Sequence, residues 1–149
     1  METRTGFLIS KIKQIQARLF QRILQESGVE EFNGPQGRIL YVLWQKDGVP
    51  IVELSDQTGL AKNTLTAMLG RMEASGLITR TPDKADKRQS LIALTPKARD
   101  LETKYNEVSD QMNEYFYEGF SENETGQMDE YLSRILKNLE DAEQNHKTK

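Results

Sequence analysis

The stretch from 51 to 78, IVELSDQTGLAKNTLTAMLGRMEASGLI, restricts what this chain can fold into more than any other part of it. Two amphipathic segments flank a glycine corner. The first, residues 52–58, buries Leu54 and stops at Gly59, because glycine tolerates the positive φ of a tight helix end, and Leu60 plugs the corner. In the second, from Lys62 onward, apolar residues fall at Leu65, Met68, Leu69 and Met72, one face of a 3.6-residue period. Turning about 100° per residue from Leu65 sets Asn63, Thr66, Ala67 and Gly70 on the opposite face, flanked by Lys62, Thr64 and Arg71. The pattern predicts a helix-turn-helix. Its outer face is small, polar and without a carboxylate until Glu73, which suits close approach to base edges in a major groove. Gly70 costs about 1 kcal/mol of helix stability relative to alanine, so close backbone approach to a phosphate is a candidate reason for it. The plainer reading of the same spacing is a helical hairpin with a solvated outer face.

Charge is distributed as a nucleic-acid contact requires, although the total of −3 argues against one. Residues 1–61 carry 7 basic and 7 acidic side chains, residues 62–99 carry 8 and 3, and residues 100–149 carry 5 and 13. A basic middle is therefore framed by a neutral start and an acidic end, and a local basic field matters more for docking than the whole-chain balance.

Composition closes off other chemistry. There is no cysteine, so disulfides, thiolate catalysis and cysteine redox sensing are excluded, and the single histidine, His146, lies in a polar tail. The carboxylates Asp83 and Asp86 sit in a basic loop beside no nucleophile or oxyanion donor, and there is no glycine-rich phosphate loop. These features predict a protein that is not an enzyme, with no cofactor and no metal. With 149 residues, one domain is expected. No apolar run approaches the ~20 residues of a membrane span and the N-terminus lacks signal-peptide order, so a cytoplasmic location is expected.

In chain order, Leu8, Ile12, Ile15, Leu19 and Ile23 recur at steps of 4, 3, 4 and 4, widened by Phe7, Phe20 and Leu24, and predict a long amphipathic helix ended near Gly28. A stripe that long exceeds what one small domain covers and points to a second subunit. Asn33, Gly34 and Pro35 start a second helix that buries Ile39, Leu40, Leu43 and Trp44. Residues 49–51 allow only a short edge strand because of Pro50. After the helix-turn-helix, residues 77–81 and 90–94 read as a β-hairpin whose tip projects Lys84, Lys87 and Arg88. Thr95 and Pro96 then open one long helix with a seam at Ala98, Leu101, Tyr105, Val108, Met112 and Tyr115. Ser121 and Glu124 form a capping box for a last helix striped by Met128, Leu132, Ile135, Leu136 and Leu139, and the tail after Ala142 is expected to fray.

The fold class so predicted is mainly α with a small β-hairpin wing: a winged helix-turn-helix lobe plus long dimerisation helices. In this order the elements resemble the MarR family of bacterial winged-helix transcriptional regulators over nearly the whole chain. The most specific match runs through the wing at Asp86, Arg88, Ile92, Leu94 and Thr95, joined by Glu53-Leu54, Gly59-Leu60, Arg71-Met72-Glu73 and Gly76-Leu77-Ile78. The resemblance implies a single domain over 1–149, with the DNA-binding lobe at 33–95 and dimerisation helices at 5–27 and 96–143. It also implies a homodimer on double-stranded DNA, with the first, fifth and sixth helices interlocked and a pseudo-palindromic operator with half-sites about one helical turn apart. On the sequence stripes, the interface would include Leu8, Ile12, Ile15, Tyr115, Leu132, Ile135, Leu136 and Leu139. In the family the recognition helix enters the major groove, the arginine matching Arg88 reaches the minor groove and the aspartate matching Asp86 helps hold the wing. A small aromatic or anionic effector is implied as well, with Arg18, Tyr41, Trp44 and Tyr105 as candidate lining residues. Where relatives commonly cap the recognition helix with Ser or Thr, this chain has Ala61, and the missing cysteine excludes the peroxide-sensing branch. A winged helix used only for protein contact is the alternative; base readout needs Asn63 and Thr66 together with Arg88, whereas charge docking needs neither Asn63 nor Thr66.

Overall fold

A computed structural model of the protein describes residues 1–147 and divides the chain into two compact units, the first ending at Met112 and the second beginning at Asn113. The first contains α1 (Thr5–Glu26), α2 (Gly34–Gln45), β1 (Val49–Pro50), α3 (Ile51–Thr58), α4 (Lys62–Ala74), β2 (Ile78–Pro82), β3 (Ser90–Leu94), α5 (Pro96–Arg99) and most of α6 (Glu102–Phe116). The hairpin β2–β3 gains β1 as a third strand, all antiparallel in the order β1-β3-β2, with Val49 opposite Ile92 and Ile78 opposite Leu94. Pro50 sits on the outer strand, where a residue without an N–H is tolerated.

Local chemistry sets the helix boundaries. Asn33 Oδ1 accepts from Gln36 N at 2.9 Å and Gln36 Oε1 accepts from Asn33 N at 3.2 Å, a complete capping box at the start of α2. Gly34 N also donates to Gln21 Oε1 of α1 at 3.0 Å. One core joins Leu24, Ile39, Leu40 and Leu43 to Leu54, Leu65, Leu69, Met72, Leu77, Ile78 and Ile92, all with essentially no exposure. Each such side chain contributes about 1.5–3 kcal/mol by leaving water, so the inner faces of α3 and α4 are fixed by packing.

The single long helix expected from Thr95 is two helices. Thr95 caps α5 through Oγ1, which accepts from Ala98 N at 3.2 Å, and Pro96 occupies its first turn as expected. The chain then tightens: Leu101 N donates to Ala98 O at 3.2 Å, three residues back, and the Trp44 indole N–H donates to the same carbonyl at 3.1 Å. That carbonyl is taken by a tertiary partner and a short turn, and α6 restarts at Glu102 with Leu101 buried. The seam residues Ala98, Leu101, Val108 and Met112 are buried in the core.

Asp47, between α2 and β1, is a fastening that periodicity does not reveal. Its Oδ1 accepts from Leu94 N at 2.8 Å and from its neighbour Gly48 N at 3.0 Å, and Oδ2 accepts from Arg99 Nη2 at 3.2 Å. Asp47→Ala should cost about 1–3 kcal/mol in urea unfolding, because it strands the part-buried Leu94 N–H. Asp47→Asn keeps an acceptor there and should recover most of the loss; equal losses in both proteins would refute this account of Asp47.

In the second unit, Phe116, Tyr117 and Phe120 pack their rings around a turn at Gly119, whose φ is +82°. The predicted capping box is present: Ser121 Oγ accepts from Glu124 N at 3.1 Å and Glu124 Oε1 accepts from Ser121 N at 2.9 Å. These bonds hold the Glu124 carboxyl below its ordinary pKa. The helix they open, α7 (Glu122–Lys147), stays helical past Ala142, where a frayed tail was expected; residues 148–149 of that tail lie outside the described residues. Ion pairs at i,i+4 spacing, Lys137–Asp141 at 3.2 Å and Glu143–Lys147 at 3.7 Å, support its last turns. No residue of α7 is buried.

Candidate nucleic-acid interface

The corner between α3 and α4 is held by more than glycine. Gly59 has φ +73° and donates to Ser55 O at 2.9 Å. Ser55 Oγ donates to Leu60 O at 2.8 Å, and Thr58 Oγ1 donates to Leu54 O at 2.7 Å while accepting from Leu60 N at 3.2 Å. Ser55 and Thr58 thus fix the angle between the helices. Apolar spacing gave no sign of them; two hydroxyls in the turn just before the glycine stop were the available signal.

From this corner α4 presents Lys62, Asn63, Thr64, Thr66, Ala67, Gly70 and Arg71 to solvent and turns Leu65, Met68, Leu69 and Met72 into the core. Ala61 stands at the N-cap with φ −62° and ψ 144°, and no side chain caps the helix. A Cβ added at Gly70 would meet nothing within 4 Å, so no contact inside the chain requires glycine there. Glu73, the first carboxylate on the helix, lies 3.5 Å from Arg80 Nε of β2.

The loop between β2 and β3 is tied by its own side chains. Asp83 accepts from Ala85 N and from Gln89 Nε2, both at 2.9 Å, and its backbone N–H donates to Gln89 O. The Gln89 amide and the Ala85 N–H together lower the Asp83 carboxyl pKa. Asp86 grips Arg88 with both oxygens, Nε to Oδ1 at 3.0 Å and Nη2 to Oδ2 at 3.1 Å, and also accepts from the Arg88 backbone N–H. The guanidinium, and then that N–H, hold the Asp86 carboxyl below its usual range. The Arg88 side chain is 89% exposed, so the fork orients it without withdrawing it from solvent, and Lys84 and Lys87 are exposed beside it. The arrangement can present cations and small hydrogen-bonding groups to a polyanion.

Of the residues considered for an effector, Tyr41, Trp44 and Tyr105 come together. Tyr105 is the hub, with centroids at 5.2 Å from Trp44, 5.9 Å from Tyr41, 5.8 Å from Phe20 and 6.2 Å from Phe32. Burial raises its phenol pKa, keeping the hydroxyl neutral. Gly37 admits these rings: a Cβ there would stand 3.1 Å from Tyr105 and 3.2 Å from Phe32. Arg18 is exposed on α1, in shallow clefts lined by Gln14, Ala17, Gln21, Arg22 and Gln25, and by Ile15 and Leu19. Among the dimer candidates, Leu8, Ile12, Ile15, Tyr115, Leu132, Leu136 and Leu139 are exposed and Ile135 is half-buried. Among the described residues no group of acidic or histidine side chains could hold a metal ion, and no helix is long and apolar enough to cross a membrane.

A three-stranded sheet whose hairpin flanks a two-helix corner, with the second helix open to solvent, defines a winged helix-turn-helix protein. The model of the MarR family matches residues 32–90, and over that stretch the chain is similar to the family. It is 42% identical over 74 residues to the HTH-type transcriptional regulator TtmR of Methylorubrum extorquens (strain PA1), covering 50% of this chain and 38% of TtmR. It is 32% identical over 95 residues to the organic hydroperoxide resistance transcriptional regulator of Bacillus subtilis (strain 168), covering 64% and 63%. The chain therefore spans less than two thirds of either relative. Among solved structures, reduced AbfR bound to DNA is 27% identical with a TM-score of 0.72, covering 91% of this chain and 92% of AbfR. An Escherichia coli MarR mutant complexed with operator DNA shares the fold at a TM-score of 0.78 and 23% identity, covering 88% and 92%.

Proposed function

We propose that the protein is a sequence-specific DNA-binding transcriptional regulator, acting as a ligand-responsive repressor, that binds a pseudo-palindromic operator as a homodimer. The observation that carries this reading is the outer face of α4: seven exposed residues without a carboxylate, beside a wing whose Arg88 is oriented yet solvent-facing. Residues 33–95 form the DNA-binding lobe, and 5–27 with 96–143 the dimerisation helices. In this reading α4 enters the major groove through Lys62, Asn63, Thr64, Thr66, Ala67, Gly70 and Arg71. The wing residues Lys84, Asp86, Lys87 and Arg88 serve the adjacent minor groove, where arginine is favoured. The unneeded glycine at 70 and the uncapped start at Ala61 both leave backbone accessible to phosphates. A small aromatic or anionic effector, held at the Tyr41, Trp44 and Tyr105 cluster or at the separate cleft around Arg18, would release DNA by favouring a different spacing of the two lobes. DNA-bound AbfR and the MarR–operator complex support the mode of binding.

The test is selection of binders from random duplexes, then anisotropy against a scrambled control over a salt series. A pseudo-palindrome should be enriched, with log affinity falling against log salt at about −0.9 per phosphate contact. Asn63→Ala should lose discrimination by ~1–3 kcal/mol per base contact, with little change on scrambled DNA. No enrichment, with weak binding only, would favour a protein-docking role for the winged helix.

A further inference from the structure

Thr66 differs from the other residues of the α4 face in how its polar atom is committed. Its hydroxyl donates to Lys62 O, one turn earlier, at 2.8 Å, so its only hydrogen is spent within the helix while the side chain stays exposed. An oxygen in that state can still accept but cannot donate. Serine and threonine are ordinarily ambivalent readers, compatible with donors or acceptors; here the ambivalence is gone. Major-groove edges split on this property: adenine N6 and cytosine N4 carry amino donors, whereas guanine O6 and N7 and thymine O4 are acceptors. An acceptor-only oxygen set against one of the latter would pair lone pair with lone pair.

From this, and resting on the DNA-binding reading above, we infer that Thr66 is a specificity-determining residue that reads a base-edge amino group. The operator therefore carries adenine or cytosine, never guanine or thymine, on the strand it faces in each half-site. The neighbouring Ala67 offers only a methyl group, and Gly70, one turn further, has no side chain and open space around it. Neither can donate to or accept from a base through its side chain, so on this stretch of the face the Thr66 oxygen alone decides polar readout. Asn63 is separate, because a carboxamide both donates and accepts.

The experiment takes the operator selected by the full-length protein and deletes base amino groups one at a time, purine for adenine and 2-pyrimidinone for cytosine. Each duplex is titrated with wild type, Thr66→Val, which keeps the branched shape without the acceptor, and Thr66→Ser, which keeps the hydroxyl. The expected result is one position per half-site where deletion weakens wild type and Thr66→Ser about tenfold and leaves Thr66→Val unchanged, with Thr66→Val already about tenfold weaker on the intact operator. An operator on which Thr66→Val tracks wild type at every amino deletion overturns the inference while leaving the DNA-binding reading intact. So does one on which the only position coupled to Thr66 carries guanine or thymine on the faced strand. Failure of wild type to enrich any sequence overturns both.

Discussion

Replacing Leu136 and Leu139 of α7 by aspartate should convert the proposed dimer into a monomer and weaken operator binding roughly 10²–10⁴-fold, the range by which two linked sites exceed one. The helix runs 26 residues from its capping box, with Leu136 58% and Leu139 63% exposed. Leu132 and Met128, also exposed, continue the apolar stripe at helical spacing, and a solvent-facing stripe of this kind marks an interaction surface. Burying each leucine against a second copy contributes about 1.5–3 kcal/mol, and a carboxylate there reverses the sign. The leucines lie outside the core built around Leu40, Leu54 and Leu69, so the first unit should remain folded. Sedimentation should therefore show half the mass, with the near-ultraviolet signal of Trp44 retained. Binding to an isolated half-site should change little, which separates lost bivalency from a damaged lobe. A variant that stays dimeric would place the dimer contact elsewhere.

The helix-turn-helix was legible because its two requirements are local. Leu65, Met68, Leu69 and Met72 repeat at the helical period, and Gly59 must stand where φ turns positive; both held to within a residue at each boundary. The hairpin was legible from β-branched runs around a charged loop, and β2 lies one residue later than expected. The break between α5 and α6 was not legible. It depends on Trp44 reaching the Ala98 carbonyl across 54 residues, and the apolar seam continues through the break, so periodicity cannot register it. The end of α7 is a different case: apolar residues stop at Ala142, yet the backbone stays helical to Lys147, with one exposed i,i+4 pair, Glu143–Lys147, in that stretch.

For the interface, sequence told which side of α4 faces outward but not what its polar atoms are already bonded to. Asn63 and Thr66 look equivalent as short polar side chains, and the Thr66 bond to Lys62 O separates them. Charge counting likewise placed Arg88 at the wing tip but could not show it gripped by Asp86. Arg18 stood beside Tyr41, Trp44 and Tyr105 as a reasonable aromatic-plus-cation set. Only the three aromatics share a cluster, whereas the clefts around Arg18 are lined by α1 residues. Grouping residues by chemistry ignores which helix face each one occupies.

Arg88→Ala should weaken binding to operator and to scrambled DNA alike, by about tenfold for each wing and so roughly a hundredfold for a dimer, with a shallower salt dependence. An exposed guanidinium at a loop tip meets backbone charge and groove potential rather than a particular base, which is why both duplexes should suffer. Asp86 lets the contact be examined without removing the cation. Asp86→Asn forfeits the charged two-oxygen fork but leaves Arg88 in place, so it should give a smaller loss through lost orientation. The pH dependence has a definite sign. Because the Asp86 carboxyl is depressed by Arg88, its contribution to wing order is complete above the ordinary aspartate value and is lost only as pH falls through the lower folded-state value. Affinity should therefore show no Asp86-linked step between about pH 5 and 8, with loss of the wing contact confined to more acidic solution. Anisotropy titrations of wild type, Arg88→Ala and Asp86→Asn on both duplexes at two salt concentrations decide the matter. If Arg88→Ala damaged operator binding alone, Arg88 would be reading sequence, and the division between a reading helix and an anchoring wing would have to be redrawn.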